Sequence, residues 1–302
     1  MVMTIKQILK RAAANGLNIK EESVKLNESG LDFQVAHAED ASGEKWILRL
    51  PRRSDAMKKT VLEKQVLDVV SRHVLFEAPQ WEIFTDDLIA YRQLSGVPAG
   101  TIDPEIQNYR WEFDIDNVPA AYFSSLGKVL ADLHRVPAES VKDVTGLKVQ
   151  TITEAKAELA ERMTRVKADI GVGQELWDRW QAWLENEAVW PKHTALVHGE
   201  VHAGHTLIDG DARVTGLIDW TEVAVTDVSR DFMAPLMIFG ESGLDQVIRG
   251  YEEAGGKTWP GMREHVIELQ STYGLEIYEF AKESGSDEYM EMTRESLGVS
   301  VE

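Results

Sequence analysis

Cysteine is absent from this 302-residue chain. Disulfides, zinc–thiolate sites and cysteine nucleophiles are therefore excluded together, and a reducing compartment fits. Long apolar runs are missing too. A transmembrane helix needs about 20 consecutive apolar residues; the longest run here, Phe232 to Phe239, is far shorter and contains Pro235. The first residues lack the apolar core and cleavage site of a signal peptide, so a cytoplasmic location is expected. Positive charge is also scarce. The 32 Lys+Arg stand against 51 Asp+Glu, for a formal charge of −19. Such a chain repels phosphate-rich surfaces, which argues against general nucleic-acid or membrane binding and favours cationic small molecules.

What is present is a foldable chain. Its 43% hydrophobic content argues against wholesale disorder, and its length allows one large domain or two lobes. Ile5, Ile8, Leu9, Ala12 and Ala13 recur at helical spacing before Asn15-Gly16. Residues 25–26, 33–38 and 46–50 read as strands, with turn chemistry at Glu39 to Gly43. A helix is expected over 56–70, then strands near 81–84 and 88–91. Ser95-Gly96-Val97-Pro98-Ala99-Gly100 interrupts the pattern, placing a lobe boundary between residues 1–94 and 95–302. Beyond it the chain reads as helical over about 119–135, 153–169, 173–186, 241–254 and 261–284. Short strands fall between helices at 195–197, 206–208 and 214–218. The expected class is α+β, with a β-rich N-terminal lobe and a mainly helical C-terminal lobe.

The sharpest motif is Leu196-Val197-His198-Gly199-Glu200-Val201-His202-Ala203-Gly204-His205-Thr206-Leu207-Ile208-Asp209, followed by Gly216-Leu217-Ile218-Asp219-Trp220. Phosphoryl transfer from a nucleotide needs a carboxylate on the attacking hydroxyl, a pair of metal ligands and a cation on the phosphates. In the protein-kinase catalytic loop a metal ligand follows the catalytic Asp by five residues. Here His205 follows Glu200 by five, and Asp219 ends an apolar strand where kinases place a second metal ligand. His198, Glu200, His205 and Asp219 are the candidate residues. Three histidines within eight residues could instead form a zinc cluster or a polar loop, though helical His spacing is missing.

Asn27-Glu28-Ser29-Gly30-Leu31-Asp32 joins two strands as a phosphate-covering loop does, or as any hairpin does. With one Gly, its backbone N–H groups and Ser29 would do the cradling. Arg49 stands on the next strand where kinases carry a phosphate-contacting Lys, and Glu63 on the following helix is placed to pair with it. Solvated surface residues are the alternative for both.

Together these segments resemble the macrolide 2′-phosphotransferases, antibiotic kinases that share the protein-kinase fold. The resemblance rests on Asn27 to Phe33, Trp46 to Arg53, His198 to Asp209, Gly216 to Trp220 and Phe239 to Leu244, and runs from about residue 5 to residue 297. His205 is part of it, since aminoglycoside kinases usually carry Asn there. The resemblance implies a bilobal protein-kinase-like fold, GTP as donor, Mg²⁺ as cofactor, and the 2′-hydroxyl of desosamine as acceptor. Macrolide resistance would follow, and a monomer is expected. It implies Glu200 as the catalytic carboxylate beside His198, and His205 and Asp219 as metal ligands. Ser29, Arg49 and Glu63 fall on the phosphate side. The segment 88–94, with Ala90, Tyr91, Arg92 and Gln93, would be a hinge whose backbone reads the purine. Asp231 matches an Asp that braces the catalytic loop and borders the acceptor; a plain helix N-terminal acid is the alternative.

One departure stands out. The family motif is His-Gly-Asp, and this chain has His-Gly-Glu. The added methylene implies either a site adjusted to Glu or a weakened one, because about 1 Å of misplacement costs on the order of a hundredfold. For the acceptor, Tyr273, Tyr278 and Phe280 lie on one apolar stripe that suits a macrolide, or simply a core. Eight acids from Glu276 to Glu302, opposed by Lys282 and Arg294, would favour a cationic substrate. The rival readings are a kinase of another hydroxylated amine, and a nucleotide-binding module that has lost catalysis through Glu200.

Overall fold

A computed structural model describes residues 2–27, 32–53, 56–103 and 108–299, the Lys59 side chain excepted. In chain order its main elements are α1 (Ile5–Ala14), β1 (Lys25–Asn27), β2 (Phe33–Glu39), β3 (Lys45–Pro51) and α2 (Ala56–Val70). Then come β4 (Trp81–Thr85), β5 (Leu88–Arg92), β6 (Val97–Pro98), β7 (Gly100–Asp103), β8 (Asn108–Trp111) and α3 (Ala120–Leu133). Next are β9 (Lys148–Val149), α4 (Ile152–Ile170), α5 (Gln174–Glu185), β10 (Ala195–Val197), β11 (Thr206–Ile208), β12 (Val214–Leu217) and β13 (Ala224–Thr226). The chain closes with α6 (Arg230–Glu253), α7 (Met262–Ser271), α8 (Tyr273–Ser284) and α9 (Asp287–Ser296). Among the described residues no helix is long and apolar enough to cross a membrane.

Two compact units emerge. The first comprises Met1–Asn117, Glu139–Leu147 and Ala203–Val223; the second comprises Val118–Ala138, Lys148–His202 and Ala224–Glu302. Each unit is thus assembled from three separate stretches of chain. Strand pairing is the reason within the first unit: β6 bonds to β11, and β11 to β12. Glu77 adds to this, since its N–H donates to the Thr215 carbonyl at 2.9 Å and its carbonyl accepts from Leu217 at 3.0 Å.

The first unit is built on an antiparallel sheet ordered β1-β2-β3-β5-β4. Alternation along the strands divides its two faces. Ala36, Ala38, Trp46, Leu48, Leu50, Leu88 and Ala90 bury one face against Ile8, Ala12 and Leu17. Helix α1 starts with a reciprocal capping box between Thr4 and Gln7. The other face carries the out-of-phase residues. Val35 pairs with Arg49, Arg49 with Ile89, and Ile47 with Tyr91. Arg49 is thus fixed on one face by register, because a slip of one residue would turn it to the α1 side.

In the second unit α3 and α6 pack tightly at Gly127 and Gly250. A Cβ on Gly127 would stand 2.4 Å from the Tyr251 nitrogen and 2.6 Å from the Gly250 carbonyl carbon. A tryptophan-rich cluster fills the other side: Trp180, Trp183 and Trp190 pack with Met163, Val166, Leu275 and Leu297. Two expected helices are differently bounded. The stretch 261–284 breaks at Thr272 into α7 and α8, and α6 begins at Arg230, with a non-helical Gly240 (φ 65°, ψ −172°) inside it. The β7–β8 hairpin and α9 were not expected.

Candidate active site

The first unit carries a cation, a buried acid and two metal-type ligands. The Arg49 Nη1 donates to Glu63 Oε1 at 2.8 Å, and the Arg49 guanidinium also lies 4.7 Å from the Phe33 ring centre and 5.3 Å from that of Trp81. Two aromatic faces and one carboxylate hold the fork in place. Glu63 is almost fully buried on α2, where the Trp220 backbone also bonds to its carboxylate. Burial pushes the Glu63 carboxyl above the usual carboxylate range, against the pull of Arg49. Burial acts against the Arg49 charge too, but Glu63, Tyr91 and Asp219 together hold its pKa above the ordinary arginine value. Burial drives the Tyr91 hydroxyl up to about 12.

Asp219 sits just beyond β12 in the left-handed region, at φ 64°. Asp is among the few residues tolerated there, and such backbone positions concentrate at functional sites. Thr221 Oγ1 donates to Asp219 Oδ1 at 2.9 Å, and Ile218 N–H donates to the His205 carbonyl at 3.0 Å. His205 Nε2 and Asp219 Oδ2 are 3.7 Å apart. Two ligands each about 2.1 Å from one ion lie at most about 4.2 Å apart, so this pair can share a cation.

The second unit carries the carboxylate. Gly199 turns the loop at φ 89°, which only glycine adopts without cost. Asp231, fully buried at the start of α6, accepts from His198 N–H at 3.0 Å and from Gly199 N–H at 2.7 Å. Burial raises the Asp231 pKa, but His134 and the loop donors outweigh it and hold the carboxyl below the usual range. Glu200 N–H donates to His198 Nδ1 at 3.3 Å. The Glu200 side chain is 47% exposed, and its Oε1 lies 3.9 Å from His202 Nε2. Tyr273 borders it: burial raises the Tyr273 hydroxyl pKa, with Glu276 and Glu200 adding to the effect.

The remaining candidates divide. Ser29 lies outside the described residues. Ala90 is buried on the α1 face, so only its backbone is available to a ligand. Arg92 is occupied by Glu82 and Glu44, both at 2.8 Å, and Gln93 N–H donates to the Lys45 carbonyl. A cleft of about 740 Å³ runs along Lys45, Glu77, Glu82, Arg92 and Ser95, and none of Arg49, Glu63, His205 or Asp219 lines it. Phe280 is exposed and meets the Tyr289 ring edge-on. Two acceptor-side candidates do not face solvent. Tyr278 packs in the tryptophan cluster and its hydroxyl donates to Asp169. Asp231 has no exposed surface to offer a substrate, and its oxygens are committed to the loop. Residue spacing gave no hint of the aromatic faces around Arg49, or of His134 on Asp231, 97 residues away.

Comparison with known proteins bears directly on this arrangement. The model of the phosphotransferase enzyme family matches residues 23–265. The chain belongs to the phosphotransferase enzyme family. This phosphotransferase is 32% identical to macrolide 2′-phosphotransferase MphH from Brachybacterium faecium, whose crystal structure it matches with a TM-score of 0.91 over 99% of both chains. A macrolide 2′-phosphotransferase type I is 33% identical, with a TM-score of 0.86 over the full length of both. Protein YcbJ of Bacillus subtilis strain 168, which has no assigned function, is 38% identical over 98% of this chain and 96% of its own. The fold is accordingly the protein-kinase-like α+β fold of this phosphotransferase family.

Proposed function

We propose that this phosphotransferase moves the γ-phosphoryl group of GTP to the 2′-hydroxyl of a macrolide antibiotic. The support for the acceptor is the chain-long likeness to two macrolide 2′-phosphotransferases. The observation that carries the chemistry is the His205–Asp219 pair, 3.7 Å apart in the unit that also holds Arg49. In this reading Arg49, locked by Glu63, balances phosphate charge, and His205 and Asp219 hold Mg²⁺. When bound, the ion neutralises charge building on the phosphate oxygens. Glu200 orients the acceptor hydroxyl and takes its proton. A new acceptor O–P bond forms as the bond from the γ-phosphorus to the β-bridging oxygen breaks, and GDP leaves. Tyr273 and the acids of α8 and α9 favour a sugar bearing a protonated amine.

Incubation with erythromycin, GTP and Mg²⁺, read by mass spectrometry, should show the antibiotic gaining one phosphoryl group. With equimolar GTP and ATP, GTP should be consumed first. No phosphorylated macrolide from either donor would end the macrolide reading. Product from an aminoglycoside or choline alone would move it to another hydroxylated amine.

A further inference from the structure

We infer that Arg230 binds the macrolide acceptor, donating from its guanidinium to uncharged carbonyl or hydroxyl oxygens on the edge away from the reacting sugar. The inference rests on the acceptor reading above. A cleft of about 70 Å³ opens in the second unit between α4, the start of α6 and the α7–α8 break. Trp190, Met233 and Leu269 give it an apolar lining. Its space equals roughly five waters, so it takes one edge of an acceptor and not a whole macrolide ring. Most of the charges around it are already committed. Lys148 donates to Glu158 at 2.7 Å, Arg162 to the two oxygens of Glu279 at 3.0 and 2.9 Å, and Asp227 lies 2.6 Å from His265 Nε2. Arg230 and Glu276 also line the cleft, and among the described residues neither side chain has a hydrogen-bond or ion-pair partner.

Arg230 stands where a cation is least expected. It is half-buried, and it is the first residue of α6, where the helix dipole opposes a positive charge. A side chain that breaks a local rule without a bond inside the fold marks a functional position. Its chain neighbour Asp231 holds the His198 and Gly199 N–H groups of the loop that carries Glu200. Glu276 approaches the same carboxylate from α8. It lies one helical turn from Tyr273, whose hydroxyl pKa is raised by burial and then by Glu276 and Glu200. An acceptor with its hydroxyl at Glu200 thus reaches the cleft past Tyr273. The charges of Arg230 and Glu276 orient it. Its protonated amine turns to Glu276 and away from Arg230, while the planar guanidinium fork offers its N–H donors to uncharged oxygens. An anionic ligand is disfavoured by Glu276 at the same opening and by the formal charge of −19.

Two variants test this. Arg230→Met keeps an unbranched side chain and removes every donor, whereas Arg230→Lys keeps the charge. Calorimetric titration of the full chain with erythromycin should show a Kd about ten- to a hundredfold higher in Arg230→Met. Arg230→Lys should raise it by less than about tenfold. In turnover, KM for erythromycin should rise with Kd, while kcat changes by less than about threefold and KM for GTP by less than about twofold. Thermal unfolding separates this role from a structural one. Removing an unpaired cation from a helix start should leave Tm within about 3 °C of the starting value. A Kd within about twofold of the starting protein in Arg230→Met would overturn the assignment, as would a Tm lowered by more than that margin. The titration needs no turnover, so it decides even if phosphoryl transfer through Glu200 is slow. No erythromycin binding by the starting protein would end the macrolide reading and this assignment with it.

Discussion

Replacing Asp231 by Asn keeps the shape of the side chain and removes one acceptor oxygen. In the native protein Oδ1 takes Gly199 N–H at 2.7 Å, while Oδ2 takes His198 N–H at 3.0 Å and His134 Nε2 at 2.9 Å. The Asn amide nitrogen must occupy one of these two places. Set at Oδ1 it faces Gly199 N–H, donor against donor. Set at Oδ2 it faces His198 N–H, even if His134 changes tautomer to accept from it. Either way one backbone N–H loses its acceptor. A hydrogen bond to a charged group contributes about 1.5–3 kcal/mol, and the surviving bonds weaken because the acceptor is now neutral. The expected loss is therefore about 3–4 kcal/mol in the second unit. Urea unfolding followed by far-UV circular dichroism reads that loss. Acid titration adds a second check. Folding depresses the Asp231 pKa from 3.8, so its contribution is complete above that pH and disappears as pH falls through the folded value. The Asn variant should lack this acid-dependent component. A loss below about 1 kcal/mol at neutral pH, within the range of ordinary substitutions, would refute the bonding described here.

Other outcomes follow from neighbouring residues. Glu200→Asp should raise kcat about ten- to a hundredfold by restoring the shorter carboxylate, and Glu200→Ala should lower it below the starting value; steady-state kinetics with one macrolide decides. A slower Glu200→Asp would mean that the loop is tuned to Glu. On the metal role proposed for Asp219, Asp219→Asn should abolish turnover with an unchanged circular dichroism spectrum, since one charge opposite the ion would be lost. Gly127→Ala should lower stability by about 1–3 kcal/mol in thermal unfolding. Its Cβ would meet the α6 backbone at 2.4–2.6 Å, which outweighs the helix-propensity gain of about 1 kcal/mol.

Local pattern carried much of this fold. Alternation in Phe33 to Glu39 and Lys45 to Pro51, with turn residues between, is enough to place β2 and β3. The spacing of Glu200, His205 and Asp219 was legible because it reflects a short loop and a strand end. Elements without a strong apolar period were not. The β7–β8 hairpin is built from Thr101, Asp103, Asn108 and Arg110 as much as from aromatics, and Pro98 and Gly100 read as breakers. The Thr272 break is invisible to periodicity, because α7 and α8 keep apolar residues on both sides of it. Tyr278 shows the limit for sites: an aromatic stripe at helical spacing carries no mark of whether it meets solvent or Asp169. The link from Tyr251 to His134 spans 117 positions, and no local signal encodes it.

The interleaved division of the chain bears on how it emerges from a ribosome. A nascent chain ending at Asn117 holds β6 but neither β11 nor β12, which arrive only with residues 203–223. At about 5–20 residues per second, the first unit waits several seconds for strands that complete it. Until then the paired edge of Val97 and Pro98 and the backbone of Glu77 have no native partners. Neither unit is one continuous stretch, so neither can be excised by a single cut. A split at residue 95 would separate Arg49 from His205 and Asp219, leaving residues of one compact unit on different fragments.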